Sequence, residues 1–318
     1  MKTISFPGIG IDNFSVDPVA FSIGKLEIRW YALIITTGIL LAMLYAYWRS
    51  KHEGISIDDF LDMAIFTVIF GIIGARAYYV LTSLSEYDSF GEAIAIWKGG
   101  LAIYGGIIAG AITIFTVCKI KKIKYAKAFD MVAPAVMIGQ ILGRWGNFFN
   151  GEAYGVQVPK DSIFYFIRMG LLPNHESFSV MHYYHPTFLY ESLWNLLGFI
   201  IINAFYKKKK FDGQIALSYI AWYGFGRMFI EGLRTDSLYV GPFRISQVVA
   251  FLCFVAGTAL IIYNLMKVRR ATLTETVEYT PAYPKFSRSF TNNTTESSAE
   301  DTDEQTYNEN ENNEQKEE

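Results

Sequence analysis

The chain has 318 residues, of which 52% are hydrophobic and 18% charged, whereas a water-soluble domain carries about 25% charged residues. Several apolar runs of roughly 20 residues exclude one large soluble core and indicate a polytopic membrane protein. The two cysteines, Cys118 and Cys253, have neither CxxC nor metal-ligand spacing, which argues against a disulfide framework or a structural zinc site.

The N-terminal segment, residues 1–28, lacks the basic-then-apolar design of a cleavable signal peptide, so we expect the first apolar span to stay in the mature protein. Seven spans follow in chain order, near residues 30–48, 60–82, 101–118, 129–149, 187–205, 214–232 and 245–266. They predict an all-α polytopic membrane protein with seven transmembrane helices. The long segment at about 150–185 is predicted to form an external cap.

Basic residues alternate between the segments that connect the spans. Residues 49–59, 119–127, 206–213 and 267–270 hold 14 Lys and Arg in 32 positions, whereas the intervening segments hold 6 in 92. The positive-inside rule therefore predicts an external N-terminus and a cytoplasmic C-terminus. Residues 271–318 hold 12 Asp and Glu against 3 Lys and Arg and are predicted to form a disordered acidic tail, with an interaction tail as the alternative. The catalytic domain would then be 1–270.

Arginines stand beyond the midpoints of three spans that run outward: Arg76, Arg144 and Arg227. At 1.5 Å per residue they lie roughly 20–24 Å from the cytoplasmic ends of their helices, which is the outer third of a hydrocarbon core of about 30 Å. Polar residues at the outer starts of three other spans reach the same depth: Tyr31, Tyr104 and the cluster HPTFLYE at 185–191. Polar groups from six helices are therefore predicted to converge.

Arginines at this depth need acids or anions to neutralise them. Glu152, Glu191 and Glu231 are the available acids, and Arg227 and Glu231 share a helix face at i, i+4 spacing. Rigid guanidinium donors favour a phosphate, and at this depth the common phosphate belongs to a lipid headgroup. The alternatives are that single arginines such as Arg76 and Arg234 extend to the headgroups, that the Arg227–Glu231 pair is structural, and that the glycines serve helix packing.

The stretch GRWGNFFNGEAYG, residues 143–155, resembles the signature GRxGNFxNxExxG of bacterial prolipoprotein diacylglyceryl transferases. The resemblance extends over most of residues 1–266 and includes DPVAFSIG, RWYALI, GARAYYV, HPTFLYE and YGFGRMFIEGLRTDS. It implies a cofactor-free and metal-free enzyme of the bacterial plasma membrane whose active site lies near the outer leaflet. The implied reaction moves the diacylglyceryl group of phosphatidylglycerol to the lipobox cysteine of a preprolipoprotein signal peptide and releases glycerol phosphate. Its partners would be these substrates and membrane lipids, with no nucleic acid.

The resemblance also implies residue roles. Arg144 and Arg227 would hold the phosphodiester and, together with Glu152 and Tyr104, carry the reaction. The substrate-binding set, which again includes Arg144, would comprise Asn147, Asn150, Gly155, Tyr31, Glu231, Arg234 and Arg76. Within it, Glu231 would orient Arg227.

One position departs from the family pattern, because Tyr104 stands where members often carry a histidine that is proposed to deprotonate the thiol. A phenol is a poor base at neutral pH, so our hypothesis is that the arginines stabilise the thiolate, with His185 as a less favoured base. Two competing functions stay open at this point: an anion channel or transporter, and a non-catalytic protein that binds lipid or signal peptides.

Overall fold

Seven long helices dominate the computed structural model, which describes residues 2–84, 87, 89–172, 181–235 and 237–274. They are α1 (Trp30–Glu53), α2 (Ile57–Thr82), α4 (Ile103–Ile120), α5 (Tyr125–Asn150), α6 (Thr187–Phe205), α7 (Gln214–Gly232) and α8 (Ile245–Thr274), with α3 (Phe90–Ala93) a single turn. Six of them are long and apolar enough to cross a membrane, so a mostly helical, polytopic membrane protein is confirmed.

The exception is α7. It coincides with the predicted sixth span, 214–232, but contains the polar residues Tyr223, Arg227 and Glu231. That α7 also crosses the membrane, and on which side each terminus lies, remain predictions. The predicted acidic tail falls outside the described residues from position 275 onward.

Helix ends follow local sequence signals. The side chain of Ser56 accepts a hydrogen bond from the Asp59 amide at 3.1 Å and so caps the start of α2. Helices α1 and α5 end at glycines in the left-handed region, Gly54 at φ 69° and Gly151 at φ 60°, where a residue without a Cβ is favoured.

The prediction of an all-α protein is wrong in one respect, because the described residues also form eight short strands, which lie at one end of the helices. They are β1 (Lys2–Phe6), β2 (Ile11–Val16), β3 (Val19–Ile23), β4 (Leu26–Arg29), β5 (Met169–Leu172), β6 (His182–Tyr184), β7 (Tyr239–Val240) and β8 (Phe243–Arg244). An antiparallel sheet has the order β2-β1-β5-β6, and β3–β4 and β7–β8 are separate hairpins. The sheet joins the N-terminal segment to the predicted cap, of which residues 173–180 lie outside the described residues.

The two ends of the helices differ in chemistry. At the end that carries the sheet, here called the sheet end, the Phe148 ring lies 6.4 Å from that of Phe6 and 4.8 Å from that of Phe188. At the opposite end, here called the lysine end, the buried Lys209 ammonium lies 2.8 Å from Glu53 and 3.0 Å from Asp130. These contacts tie α1 and α5 to the segment between α6 and α7.

A tryptophan pair sets the position of α6 against α7. The rings of Trp194 and Trp222 stack at 4.3 Å, and each indole N–H donates to the backbone carbonyl of the other residue at 3.0 Å. Trp194 lies about one turn from Glu191 on α6, so this contact helps to orient the carboxylate toward α5 and α7.

Candidate active site

The end of α5 folds back so that a carboxylate faces its last turn. Gly151 ends the helix, and the Glu152 amide donates to the Asn147 carbonyl at 3.1 Å. The Glu152 carboxylate accepts hydrogen bonds from the side-chain amides of Asn147 at 3.0 Å and Asn150 at 3.2 Å. The side-chain oxygen Oδ1 of Asn147 in turn accepts a hydrogen bond from Arg144 Nη1 at 3.0 Å. Four predicted site residues therefore form one hydrogen-bonded turn.

Arg144 also belongs to a row of alternating charges that crosses from α5 through α6 to α7. Its Nη2 lies 2.7 Å from Glu191 Oε1, and Arg227 Nη1 lies 2.6 Å from Glu191 Oε2. Arg227 Nη2 lies 2.5 Å from Glu231 Oε2, and Arg234 Nε lies 3.9 Å from the same oxygen. We call Arg144, Glu191, Arg227, Glu231 and Arg234 the ion-pair row.

The carboxylates of the row are less exposed than the guanidinium groups. The side chains of Glu191 and Glu231 are each 2% exposed, whereas those of Arg144 and Arg227 are 19% and 13% exposed. Three arginines against two glutamates leave a formal excess of one positive charge in the row. Each guanidinium has five N–H donors, and the described contacts of Arg144 and Arg227 use two from each. The row can therefore offer further donors to an anion.

The predicted residues Gly155 and Arg234 are brought together by backbone pairing. The two residues form an antiparallel bridge, and the amide of Val156 donates to the Leu233 carbonyl at 2.7 Å. A Cβ at position 155 would lie 2.7 Å from the Cβ of His185, so only glycine fits this crossing. The Gly155 amide donates to the His185 carbonyl at 2.9 Å and is therefore already engaged.

Tyr31 packs on α5 next to the site. Its ring lies so close to Gly146 that a Cβ there would be 2.9 Å from a ring carbon. Gly146 is two residues beyond Arg144 on the same helix, and Tyr31 remains 37% exposed. The structure thus places Tyr31 beside the signature turn.

Arg76 is not brought into the ion-pair row. Its guanidinium donates to the backbone carbonyls of Glu92, Ala93, Gly99 and Gly100 at 2.6–2.9 Å. These four hydrogen bonds hold the segment between α2 and α4, because each of them fixes a backbone carbonyl of that segment to the Arg76 side chain. Arg76 is predicted to share a site with Arg144 and Arg227 because of its position along α2. Its side chain points instead toward the segment between α2 and α4.

Tyr104 and His185 each contact a hydroxyl group outside the ion-pair row. The phenol oxygen of Tyr104 is 2.8 Å from the hydroxyl oxygen of Ser246 on α8. The Nδ1 atom of His185 is 3.1 Å from the Tyr190 hydroxyl, and burial lowers the pKa of His185 below its ordinary value. Among the described residues, no three His, Cys, Asp or Glu side chains converge as metal ligands would. That the site works without a cofactor stays a prediction.

From the sequence, Glu191 is predicted as an available acid but not as a site residue, and Ser246 is not predicted at all. Glu191 ends the polar cluster HPTFLYE at the start of a span, which was a usable signal. Nothing in the local sequence marks Ser246.

The fold and the site together define a polytopic membrane protein with a buried arginine–glutamate row near the sheet end of its helices. A family model described as prolipoprotein diacylglyceryl transferase matches residues 18–263. The chain therefore belongs to the prolipoprotein diacylglyceryl transferase family and is a transferase, as the signature stretch predicted.

Relatives in three organisms agree with this assignment. The phosphatidylglycerol–prolipoprotein diacylglyceryl transferase 1 of Clostridium perfringens is 46% identical over 252 residues, which cover 78% of this chain and 94% of the relative. The phosphatidylglycerol–prolipoprotein diacylglyceryl transferase of Streptococcus pneumoniae is 45% identical over 266 residues, 82% and 98% of the two chains. The protein of the same name from Listeria innocua is 42% identical over 256 residues, 79% and 91% of the two chains.

Proposed function

We propose that this chain transfers the diacylglyceryl group of phosphatidylglycerol to the thiol of a lipobox cysteine in a preprolipoprotein, the first step of lipoprotein maturation. The single observation that carries this proposal is Glu191, which holds Arg144 and Arg227 side by side with donors to spare. Two guanidinium groups linked in this way suit a phosphodiester, whose oxygens accept pairs of hydrogen bonds from each fork. Family membership supplies the reaction class.

In the reaction, the thiol sulfur forms a bond to the glycerol carbon that carries the phosphate, and the bond between that carbon and the phosphate oxygen breaks. The bonding electrons leave with glycerol phosphate, and the thiol proton passes to water. Negative charge therefore grows on the departing phosphate. Fixed cationic donors stabilise that charge in the transition state, and loss of one such donor typically costs about 100- to 1,000-fold in rate.

The remaining residues of the site have supporting roles in this proposal. Asn147 and Glu152 hold Arg144 from one side, and Glu231 holds Arg227 from the other. Asn150 fixes Glu152, while Tyr31 and Arg234 border the space in which the headgroup would lie. These roles rest on the contacts described above and on the match of the signature stretch.

Two predicted substrate-binding residues receive different roles. We assign Arg76 to holding the segment between α2 and α4, since four of its donors are bound to backbone carbonyls there. We assign Gly155 to the close crossing with Leu233 and His185. Neither role requires contact with the lipid.

We also propose that the ion-pair row lies near the outer leaflet of the bacterial plasma membrane. All seven long helices would cross the bilayer, with the lysine end cytoplasmic and the sheet end outside. The lysine-rich segments at 119–127 and 206–213 support this orientation. The lipid substrate would then reach the arginines without leaving its own leaflet.

The test uses purified protein in detergent with phosphatidylglycerol and a peptide that carries a lipobox cysteine. We expect release of glycerol phosphate that requires the thiol and that falls at least 100-fold in Arg144→Lys, because lysine lacks the two-pronged donor. A matched control is Arg168→Lys, in the cap, where the guanidinium lies over the Tyr165 ring at 4.0 Å. Release that persists with a Ser peptide, or equal activity of both lysine variants, would contradict the proposal.

A further inference from the structure

Tyr104 occupies the position where the family often has a histidine, and its hydroxyl joins two helices that are distant in the chain. Tyr104 lies in the first turn of α4 and Ser246 in the first turn of α8. The two oxygens are 2.8 Å apart, and either one can be the donor. The half-buried phenol is thereby held by a specific partner.

Ser246 is itself fixed relative to the ion-pair row. The next residue, Gln247, donates from its side chain to the Met228 carbonyl on α7 at 2.9 Å. Two residues earlier, the Arg244 guanidinium donates to the Glu231 carbonyl. Met228 follows Arg227 in α7, and Glu231 forms an ion pair with Arg227. The two hydrogen bonds from Gln247 and Arg244 therefore hold the start of α8 against the part of α7 that carries Arg227.

Tyr104 is linked to the ion-pair row through the start of α8 and forms none of the row's ion pairs. Its hydroxyl contacts Ser246, and Arg244, two residues before Ser246, donates to the Glu231 carbonyl. A second tyrosine, Tyr223, contacts the row directly, because its hydroxyl lies 3.4 Å from Glu191 Oε1.

A tyrosine in this position needs orientation more than a histidine does. Imidazole has two nitrogens, so one can be held while the other acts. A phenol has one oxygen, which both donates and accepts. A partner that engages the phenol oxygen in one hydrogen bond therefore fixes the direction of the second hydrogen bond that the oxygen can form.

We propose that Ser246 is the positioning residue of Tyr104, and that it holds the phenol oxygen where this oxygen contacts the substrate thiol. The inference rests on the proposed transfer reaction and adds to it a residue on α8. In this arrangement, Ser246 takes one hydrogen bond of the phenol and leaves the other for the sulfur. The arginines, rather than Tyr104, still stabilise the developing charge.

The test is a double-mutant cycle of Ser246 and Tyr104, with kcat and KM measured separately for phosphatidylglycerol and the lipobox peptide. We expect Ser246→Val and Tyr104→Phe each to lower kcat about tenfold, the scale of one hydrogen bond, with an unchanged KM for phosphatidylglycerol. The double variant should be no slower than Tyr104→Phe, since both changes remove the same interaction. Ser246→Thr, which keeps the hydroxyl in the shape of valine, should restore kcat.

A control is Ser218→Ala, whose hydroxyl donates within α7 to the Gln214 carbonyl at 2.7 Å and which should keep wild-type kcat. Equal kcat values for Ser246→Thr and Ser246→Val would overturn the inference, as would a double variant whose loss is the product of the two single losses. If the unmodified protein transfers no diacylglyceryl group, the proposed function fails instead. The two failures are therefore distinguishable.

Discussion

Replacement of Glu191 by glutamine is the most informative single change in the ion-pair row. The carboxylate is 2% exposed and accepts one short hydrogen bond from each of two arginines, Arg144 and Arg227. In Glu191→Gln, the carboxamide oxygen can serve one guanidinium, but the NH2 group then faces the other. The change removes the charge that holds two cations side by side, with almost no change in volume.

The expected magnitude follows from this geometry. Removal of one member of a buried ion pair costs about 3–5 kcal/mol, and about 1.4 kcal/mol corresponds to a tenfold change in rate. If the loss falls on the phosphate-binding geometry, kcat/KM for glycerol phosphate release drops roughly 100- to 4,000-fold. The assay should be normalised to the amount of folded protein.

A matched control separates catalysis from folding. Glu53 at the lysine end is also a buried glutamate, and both of its oxygens accept from Lys209 at 2.8–2.9 Å. Glu53→Gln should lower thermal stability but leave the kcat/KM of the folded fraction at the wild-type value. A folded Glu191→Gln protein with kcat/KM within about threefold of wild type would refute the bridging role, on the scale of a single weak contact.

Three further changes test other parts of the structure. Arg76→Gln should lower the thermal midpoint and leave the KM for phosphatidylglycerol unchanged, because the lost hydrogen bonds go to backbone carbonyls. A tenfold rise in KM would instead indicate that Arg76 contacts the lipid. Lys209→Met should cost about 3–5 kcal/mol of stability, measured by thermal unfolding, since Glu53 and Asp130 are left buried without their cation; an unchanged midpoint would contradict this. Burial lowers the pKa of His185, so the unfolded chain binds a proton at this imidazole more readily than the folded chain does. The contribution of neutral His185 to the free energy of unfolding is therefore complete above a pH of about 6.5 and declines as the pH falls below it. The thermal midpoint of His185→Gln should depend less on pH in that range, and an identical profile would contradict the assignment.

The sequence was enough to predict the positions of the long helices, whereas the depth of the arginines in a membrane stays a prediction. Hydropathy locates a span to within a few residues, and the rise per residue converts position into depth. Arg144 and Arg227 meet in the structure because both happen to face α6. Arg76 has the same predicted depth, but its side chain points toward the segment at 92–100, and no periodicity in α2 alone distinguishes these outcomes.

The connections that escaped prediction are those between distant segments. Glu191 on α6 forms ion pairs with Arg144 on α5 and Arg227 on α7. These pairs depend on the orientation of α6 against α7, to which the stacked tryptophans contribute. The Tyr104–Ser246 contact spans 142 positions. The pairing of β1 with β5 joins the N-terminus to residues 169–172, and strands this short are too brief for an alternating pattern to be recognised.

The most direct test of the central claim is a structure of the protein with phosphatidylglycerol and a lipobox peptide in which serine replaces the cysteine. We predict that oxygens of the lipid phosphate lie at hydrogen-bonding distance, about 2.7–3.0 Å, from the guanidinium groups of both Arg144 and Arg227. Glu191 should remain between the two arginines. A phosphate bound outside the ion-pair row, or bound to only one of these arginines, would contradict the account.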